Sequence, residues 1–493
     1  MAIEYSRIIR KIEQNAEEFP KKICLSLGDS EYTFESLLAK IKDLSSAIDS
    51  SYLEKPIIVF ANRDINTILY FLAVIFSGNF YVSIDPDMPI EKLAAIFEET
   101  GAKYCFGNIT NKHILSILEK NDVVFFDINS SGNNNHYLPI TNDFPLYMVY
   151  TSGSTGKPKG VLKTHGAMAS FMETFHSTFE IGNDEIIGNQ TPFFFDASAK
   201  DIYMMIETGA RMEIIPSELF VIPTRLINYL NEKSITYISW VPSALSLIAQ
   251  MKAFSYVKPQ KLRRVFFVGE VMPVKSLNYW IKNLPNVTFV NLYGQSEIAG
   301  VACYYVIHST YDESKTLPIG KPLQNCQIII LADGKEASSG ECGEILISSN
   351  ALAECYYHDQ ERTKNSFIYN NGVRFFKTGD YAYLGDDNNI IFASRRDSQI
   401  KHMGRRIELG EIETAAYSLD GVEKCCCLYD QESKRIVLFC QVIEGISISA
   451  IHSHLRIHLS PYMMPSKIVL GAIPLNANGK IDRQVLKNNI NKL

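Results

Sequence analysis

Tyr150-Thr151-Ser152-Gly153-Ser154-Thr155-Gly156-Lys157-Pro158-Lys159-Gly160 follows an apolar, strand-like approach through Leu146, Met148 and Val149. Eleven residues carry two Ser, two Thr, three Gly and two Lys. Gly153, Gly156 and Gly160 let the backbone come close to a ligand or take positive φ. Successive backbone N–H groups, hydroxyls and lysines can then surround a phosphate. The P-loop pattern G-x-x-x-x-G-K-[ST] cannot be laid on Gly153, Gly156 and Lys157. A surface turn can also be rich in Gly, Ser and Thr, but this order after a strand favours nucleotide phosphate.

The chain has 493 residues, more than one core usually holds, so two or more domains are expected. Hydrophobic residues make up 46% and charged residues 21%, as in ordinary globular proteins. The net charge of −6 gives no global basic field, so neither nucleic acid nor an anionic membrane is an expected partner. The longest strongly apolar run, Ile68 to Phe76, is about half of what a bilayer requires. No charged-then-apolar signal pattern opens the chain. Ten cysteines are scattered without a CxxC pair, and Cys425-Cys426-Cys427 reads as a buried strand of reduced thiols. A reducing cytoplasm is expected. His452, His454 and His458 invite a metal reading, but no Glu of an H-E-x-x-H motif accompanies them, which favours a solvated helix face.

Phe34, Leu37, Leu38, Ile41 and Leu44 follow a helical spacing. Pro56 to Ala61 reads as a strand, then a helix through Leu72, then a strand at Phe80 to Ile84. That βαβ rhythm implies parallel sheet. Val123 to Phe126 and Arg264 to Val268 read as further buried strands. Asn129 to His136 reads as a surface loop. The texture changes near residue 393. A Glu-rich helix is expected near Leu409 to Tyr417, within a small α+β unit. The expected organisation is a large core over 1–393, a hinge at 394–397 and a small unit over 398–493. The fold class is α/β: a large N-terminal domain of α/β sheets sandwiched by helices, with a small mobile α+β C-terminal domain.

Three further segments carry chemistry. Asn291-Leu292-Tyr293-Gly294-Gln295-Ser296-Glu297 ends a strand, read as Val287 to Val290, in a Gly turn with one aromatic and one carboxylate. An aromatic can stack on a base, and a carboxylate can hold Mg²⁺ on phosphate oxygens. Phe376-Lys377-Thr378-Gly379-Asp380 offers an Asp after a tight turn, suited to a ribose diol. Asn478-Gly479-Lys480-Ile481-Asp482-Arg483 places a Lys in a turn. Each alone is weak.

Together and in this order they resemble the adenylate-forming enzymes: acyl-CoA synthetases, luciferases and nonribosomal-peptide adenylation domains. The resemblance runs from Tyr32-Thr33-Phe34-Glu35 to Arg483. It takes in Gly343-Glu344-Ile345-Leu346-Ile347 and Arg395 to Lys401. Its most specific part is Gly404-Arg405-Arg406-Ile407-Glu408-Leu409-Gly410-Glu411-Ile412-Glu413. The resemblance implies a carboxylate attacking the α-phosphate of ATP, giving an acyl-adenylate and pyrophosphate. It also implies roles. Thr151, Ser152, Gly153, Ser154, Thr155, Gly156 and Lys159 would hold pyrophosphate, and Glu297 would bind Mg²⁺. Tyr293 would stack on adenine, with Asn291 at its edge and Gly269, Glu270, Leu292, Gly294 and Ser296 around the nucleotide. Asp380 would take the ribose hydroxyls, with Arg395 close by. Lys480 would bridge the substrate carboxylate and ATP oxygens. Asp397 would be the hinge about which the small domain rotates for thioester formation. One departure is Met403, at a position commonly basic in relatives.

Phe195-Asp196-Ala197-Ser198 resembles the amino-acid-activating branch, in which this Asp pairs with the substrate α-ammonium. A buried carboxylate needs a partner; capping the following helix is the bland alternative. By the same resemblance Ala197, Lys200, Ser239, Phe266, Val268, Leu292, Gly300 and Val301 would wall the pocket. Lys200, four residues after Asp196, would share its helix face and pair with an acidic substrate such as glutamate. It could equally pair with Asp196 or Asp201, or point to solvent. No phosphopantetheine serine motif follows Arg483, and no H-H-x-x-x-D-G motif occurs. The expected reading is therefore a stand-alone adenylation enzyme that loads a separate phosphopantetheinylated carrier protein. An acid–CoA ligase or ATP-dependent amide ligase, and a catalytically silent carrier-binding scaffold, are the alternatives.

Overall fold

The structure is a computed structural model and describes residues 5–134, 139–151, 158–313, 315–395, 399–474 and 481–490. The chain divides into two compact units. The first spans Met1–Asp85, Thr100–Tyr150 and Gly160–Arg396; the second gathers Pro86–Glu99, Thr151–Lys159 and Asp397–Leu493.

The first unit contains the βαβ rhythm read from the sequence. Strands Pro56–Phe60 and Phe80–Ile84 pair in parallel, and the helix Ile65–Phe76 connects them. Asp64 caps that helix by accepting from the Thr67 N–H. Ten of its twelve residues are buried, which accounts for the apolar run. No helix among the described residues is long and apolar enough to cross a membrane. The seven-stranded sheet runs, by order, Cys355–Tyr356, Lys159–Thr164, Pro145–Thr151, Phe80–Ile84, Pro56–Phe60, Tyr104–Phe106, Val124–Phe126. The strand expected at Val123 to Phe126 exists, but it is an edge strand and not buried. Val124 is 49% and Phe125 37% exposed, because only one neighbour pairs with it. Asn129 to Asn134 carry no regular structure, and Asn135 and His136 lie outside the described residues.

A nine-stranded sheet places the site. Its centre is a parallel run: Ile23–Leu27, Arg211–Ile214, Ile186–Asn189, Tyr237–Trp240, Arg264–Val268 and Thr288–Tyr293. Antiparallel strands close both edges. Arg63 donates from Nε to the Ile215 carbonyl (2.8 Å) and from Nη2 to the Asn189 carbonyl (2.8 Å). It thereby ties the loop after Pro56–Phe60 to the carboxyl ends of two strands of the larger sheet. A third, six-stranded sheet contains Gly343–Ser349 and the long strand Val373–Leu384, which also pairs with Ile390–Arg395. Helix Phe34–Ser45 starts at a Thr33–Ser36 capping box and buries Leu37, Ile41 and Leu44.

In the second unit, Val422–Asp430, Arg435–Val442 and Lys467–Leu470 form a three-stranded sheet. Cys425, Cys426 and Cys427 are buried in it as free thiols. Helix Leu409–Tyr417 has the predicted bounds. Gln399–His402 and Arg405–Glu408 form a hairpin whose turn, Met403-Gly404, has φ of 50° and 76°. Positive φ at both positions is the requirement of a type I′ turn. His454 Nε2 meets Ser418 Oγ (2.8 Å) and His458 Nδ1 meets Glu91 (3.3 Å). No group of three His, Cys, Asp or Glu residues able to hold a metal occurs among the described residues.

Candidate active site

The carboxyl ends of parallel strands leave backbone and side chains unpaired above the sheet, so sites collect there. Three adjacent strands deliver residues to that edge. Ser239 lies in register with Phe266, and Val268 with Leu292. Asn291, also on the last strand, donates from Nδ2 to the Pro318 carbonyl (2.7 Å). Strand Thr288–Tyr293 extends further than the sequence suggested and carries Asn291, Leu292 and Tyr293 within it. Gly294 follows; a Cβ there would meet the Gly300 carbonyl oxygen at 2.6 Å, so the chain needs glycine.

Asp380 is fixed from three directions. Tyr293 donates its hydroxyl to Asp380 Oδ2 (2.6 Å), and Gln295 donates Nε2 to the same oxygen (2.6 Å) and to the Thr378 carbonyl (3.1 Å). The Asp380 N–H donates to Thr378 Oγ1 (3.0 Å), and that hydroxyl donates to the Ile345 carbonyl (2.7 Å). The expected tight turn at Phe376 to Asp380 is instead a bulge inside the strand Val373–Leu384. The register against Gly343–Ser349 shifts between Lys377 and Tyr381. Gly379 (φ 69°) permits it, and its N–H donates to Glu344 Oε1 (3.0 Å). Arg395 stands opposite Asp380 on the neighbouring strand. Tyr293 is buried.

Glu297 is fully buried and accepts from the Tyr356 hydroxyl at Oε1 (2.8 Å). One carboxylate of this kind fits Mg²⁺ when phosphate oxygens and water complete the octahedron. Gly269 takes φ of 100°, and Glu270 Oε2 accepts from the Ser243 N–H (3.0 Å).

Asp196 stands at the N-cap of helix Ala197–Thr208 but makes no cap hydrogen bond. Its Oδ1 accepts from the Tyr147 hydroxyl (2.8 Å) and from Lys163 Nζ. Lys163 also donates to the Tyr147 hydroxyl (3.0 Å). The Lys163 side chain is 0% exposed and that of Asp196 14%. Burial pulls the Lys163 ammonium down from its ordinary pKa, with Asp196 opposing. Burial pushes the Tyr147 phenol well up, so it stays a donor. Tyr147 stacks with Tyr81 (5.3 Å between centroids) and Tyr203 (6.3 Å).

Lys200 does not stand unpaired toward a substrate. Its Nζ lies 2.5 Å from Asp201 Oδ1 and donates to the Tyr237 hydroxyl (3.2 Å). Asn189 Nδ2 occupies Asp201 Oδ2 (3.0 Å). The pair is buried and neutral in sum, which removes the free cation the glutamate reading required. Phe266 packs its ring on Phe175, Phe179 and Tyr237 and belongs to the core. Gly300 (φ 75°) faces Phe171, whose ring a Cβ would meet at 2.1 Å. Val301 is buried and Ala197 exposed.

Ser152, Gly153, Ser154, Thr155, Gly156 and Lys157 lie outside the described residues, as do Asp397 and Lys480. Thr151 ends one strand and Lys159 begins the next. Beyond Lys480, Arg483 clamps Glu413 with Nη2 (2.7 and 3.0 Å) and donates Nη1 to the Cys427 carbonyl (3.1 Å). The sequence reading missed Lys163, Tyr147, Gln295 and Tyr356. Lys163 had a signal: it alternates with Val161 on the inward face of an apolar strand.

A sequence model described as AMP-binding enzyme matches residues 12–357. The D-alanine--D-alanyl carrier protein ligase of Bacillus cereus is 30% identical over 505 aligned positions, covering 98% of this chain and 99% of that protein. Among solved structures, the Vibrio cholerae adenylation domain AlmE, in complex with glycyl-adenosine-5'-phosphate, has a TM-score of 0.85 at 18% identity. It covers 99% of this chain and 98% of its own. A double mutant of o-succinylbenzoate CoA synthetase from Bacillus subtilis also has a TM-score of 0.85, at 20% identity. It covers 97% of this chain and 98% of its own.

Proposed function

The chain belongs to the AMP-binding enzyme family, and from that premise we propose that it activates an amino acid as aminoacyl-AMP and loads a separate carrier protein. It is an AMP-forming ligase. The observation that carries the carrier reading is the 30% identity to a D-alanine--D-alanyl carrier protein ligase over nearly the whole of both chains.

In this reading the substrate carboxylate attacks the α-phosphorus of ATP and pyrophosphate leaves. The phosphopantetheine thiolate of the carrier then attacks the acyl carbon, and AMP leaves. The first step is mostly positioning and charge stabilisation. Asp380, held by Tyr293 and Gln295, accepts from the ribose hydroxyls. The loop Thr151 to Lys159 cradles the pyrophosphate. Glu297 would hold Mg²⁺, which supplies positive charge to the phosphate oxygens. Lys480 neutralises charge as the pentavalent state forms. Residues 1–393 form the core, 394–397 the hinge and 398–493 the unit whose rotation exchanges the two half-reactions. ATP and reduced thiols suit a cytoplasmic setting.

The side chain selected is small and neutral, D-alanine included. An acidic side chain would bring a buried charge beside the already neutral Lys200–Asp201 pair. ATP–pyrophosphate exchange with glycine, D-alanine, L-alanine and glutamate tests this. A small neutral amino acid should exchange fastest; no exchange with any amino acid refutes activation. Mass spectrometry of phosphopantetheinylated carriers beside free coenzyme A tests the acceptor. Acyl-CoA formed while carriers stay unloaded refutes carrier loading.

A further inference from the structure

We infer that Lys163 is a resident counter-ion of Asp196, and that it lets the enzyme activate carboxylic acids lacking an α-amino group alongside amino acids. The inference rests on the amino-acid reading above and concerns the same site.

The Lys163 ammonium is wholly buried on the protein side of Asp196, while the carboxylate retains some exposure. Lys163 and the Tyr147 hydroxyl both bind Oδ1, and they bind each other at 3.0 Å. The three groups make a closed triangle: one cation, one anion and one phenol that burial keeps protonated. Tyr147 also packs its ring against Tyr81 and Tyr203, whose hydroxyls bond each other at 3.2 Å. Asp196 makes no hydrogen bond to its own helix, so Lys163 and Tyr147, not capping, define its surroundings.

A lone buried carboxylate that waits for a substrate ammonium selects strongly. An acid without the amine would leave that charge unpaired, and sites built around a substrate polar group reject such analogues by about 10⁴–10⁵. Here the charge is already paired. An entering ammonium can still approach Asp196 Oδ2, but its absence strands nothing. Discrimination between an amino acid and its deamino counterpart should therefore stay within about tenfold, the scale of one hydrogen bond. Removing the Lys163 charge restores the lone carboxylate, and with it the demand for the amine.

The test is ATP–pyrophosphate exchange with matched pairs: glycine and acetate, D-alanine and propionate, glutamate and glutarate. In wild-type enzyme the ratio of kcat/KM within the best pair should be about tenfold or less. In Lys163→Met the ratio should rise at least tenfold, through loss of exchange with the deamino acid. A structural role alone would lower both members of a pair equally and leave the ratio unchanged, because both sample the same folded fraction. A wild-type ratio above about a thousandfold overturns the inference by itself, and so keeps the test decisive if Lys163→Met does not fold. An unchanged ratio in folded Lys163→Met also overturns it. Either outcome leaves amino-acid activation standing, whereas absence of exchange with every acid refutes both.

Discussion

Acid should destabilise this protein through one buried imidazole. His165 opens the helix His165–Phe179 and is 1% exposed. Its Nδ1 meets Ser6 Oγ at 2.8 Å, at the N-cap of the helix Arg7–Glu18, and its Nε2 is buried with no hydrogen-bond partner among the described residues. Burial lowers its pKa from 6.5 to about 3. The folded value lies below the unfolded one, so the fold requires the neutral ring. The stability is fully present above pH 6.5 and is lost as pH falls toward about 3. Between pH 7 and pH 5 the loss comes to about 2 kcal/mol, at about 1.36 kcal/mol for each unit below the unfolded pKa. Urea unfolding of wild type and His165→Gln at both pH values measures it. The variant starts from a different baseline, so the comparison is between the two pH dependences; the other histidines titrate in both proteins and cancel. The wild-type loss should exceed the variant's by about 2 kcal/mol. Parallel losses would refute the reasoning and mean that His165 is protonated without cost in the fold.

Two further substitutions separate structure from chemistry. Lys200→Met should destabilise by about 3–5 kcal/mol, because it strands the buried Asp201 carboxylate with only Asn189 beside it. Thermal denaturation measures this, and the glutamate-to-alanine exchange ratio should not move; a shifted ratio with unchanged stability would return Lys200 to the substrate pocket. Arg483→Ala should lower kcat for adenylation roughly tenfold or more, with little change in the KM for ATP, because the lost charge-assisted bonds are worth about 1.5–3 kcal/mol. Arg483 anchors the chain to Glu413 just after Lys480, and steady-state pyrophosphate exchange equal to wild type would refute that anchoring.

What was legible in the sequence was local. The parallel βαβ unit from Pro56 to Ile84 followed from apolar runs of strand and helix length, and the helix near Leu409 to Tyr417 from its Glu-rich composition. What was not legible depends on residues far apart in the chain. Val124–Phe126 has the composition of a buried strand, but strand order, which composition does not encode, puts it at an edge. Phe376 to Asp380 has the residues of a turn. The partner strand Gly343–Ser349 keeps hydrogen-bonding on both sides of Gly379 and makes it a bulge. Asp196 and Lys163 are 33 residues apart, on a helix terminus and a strand of different elements, so nothing in local spacing joins them. Lys200 shows the limit of local spacing from the other side. The helical-face argument favoured a cavity shared with Asp196, and the structure realises the alternative the sequence left open, pairing with the adjacent Asp201.

The same contrast governs how the candidate site can choose its substrate. Three carboxylates of the candidate site already have donors from elsewhere in the chain: Tyr293 and Gln295 for Asp380, Tyr356 for Glu297, Lys163 and Tyr147 for Asp196. Preorganised groups of this kind lose little on reorganisation when a ligand arrives, which favours catalysis by positioning. They also discriminate less than unpaired charges, because a poorly matched ligand leaves none of them stranded. On the proposed function, tight control over the ribose would then go with tolerance toward the acid. Selectivity for the acid would then have to come from shape, and at Gly300 there is no room for a larger residue, because a Cβ would meet the Phe171 ring at 2.1 Å.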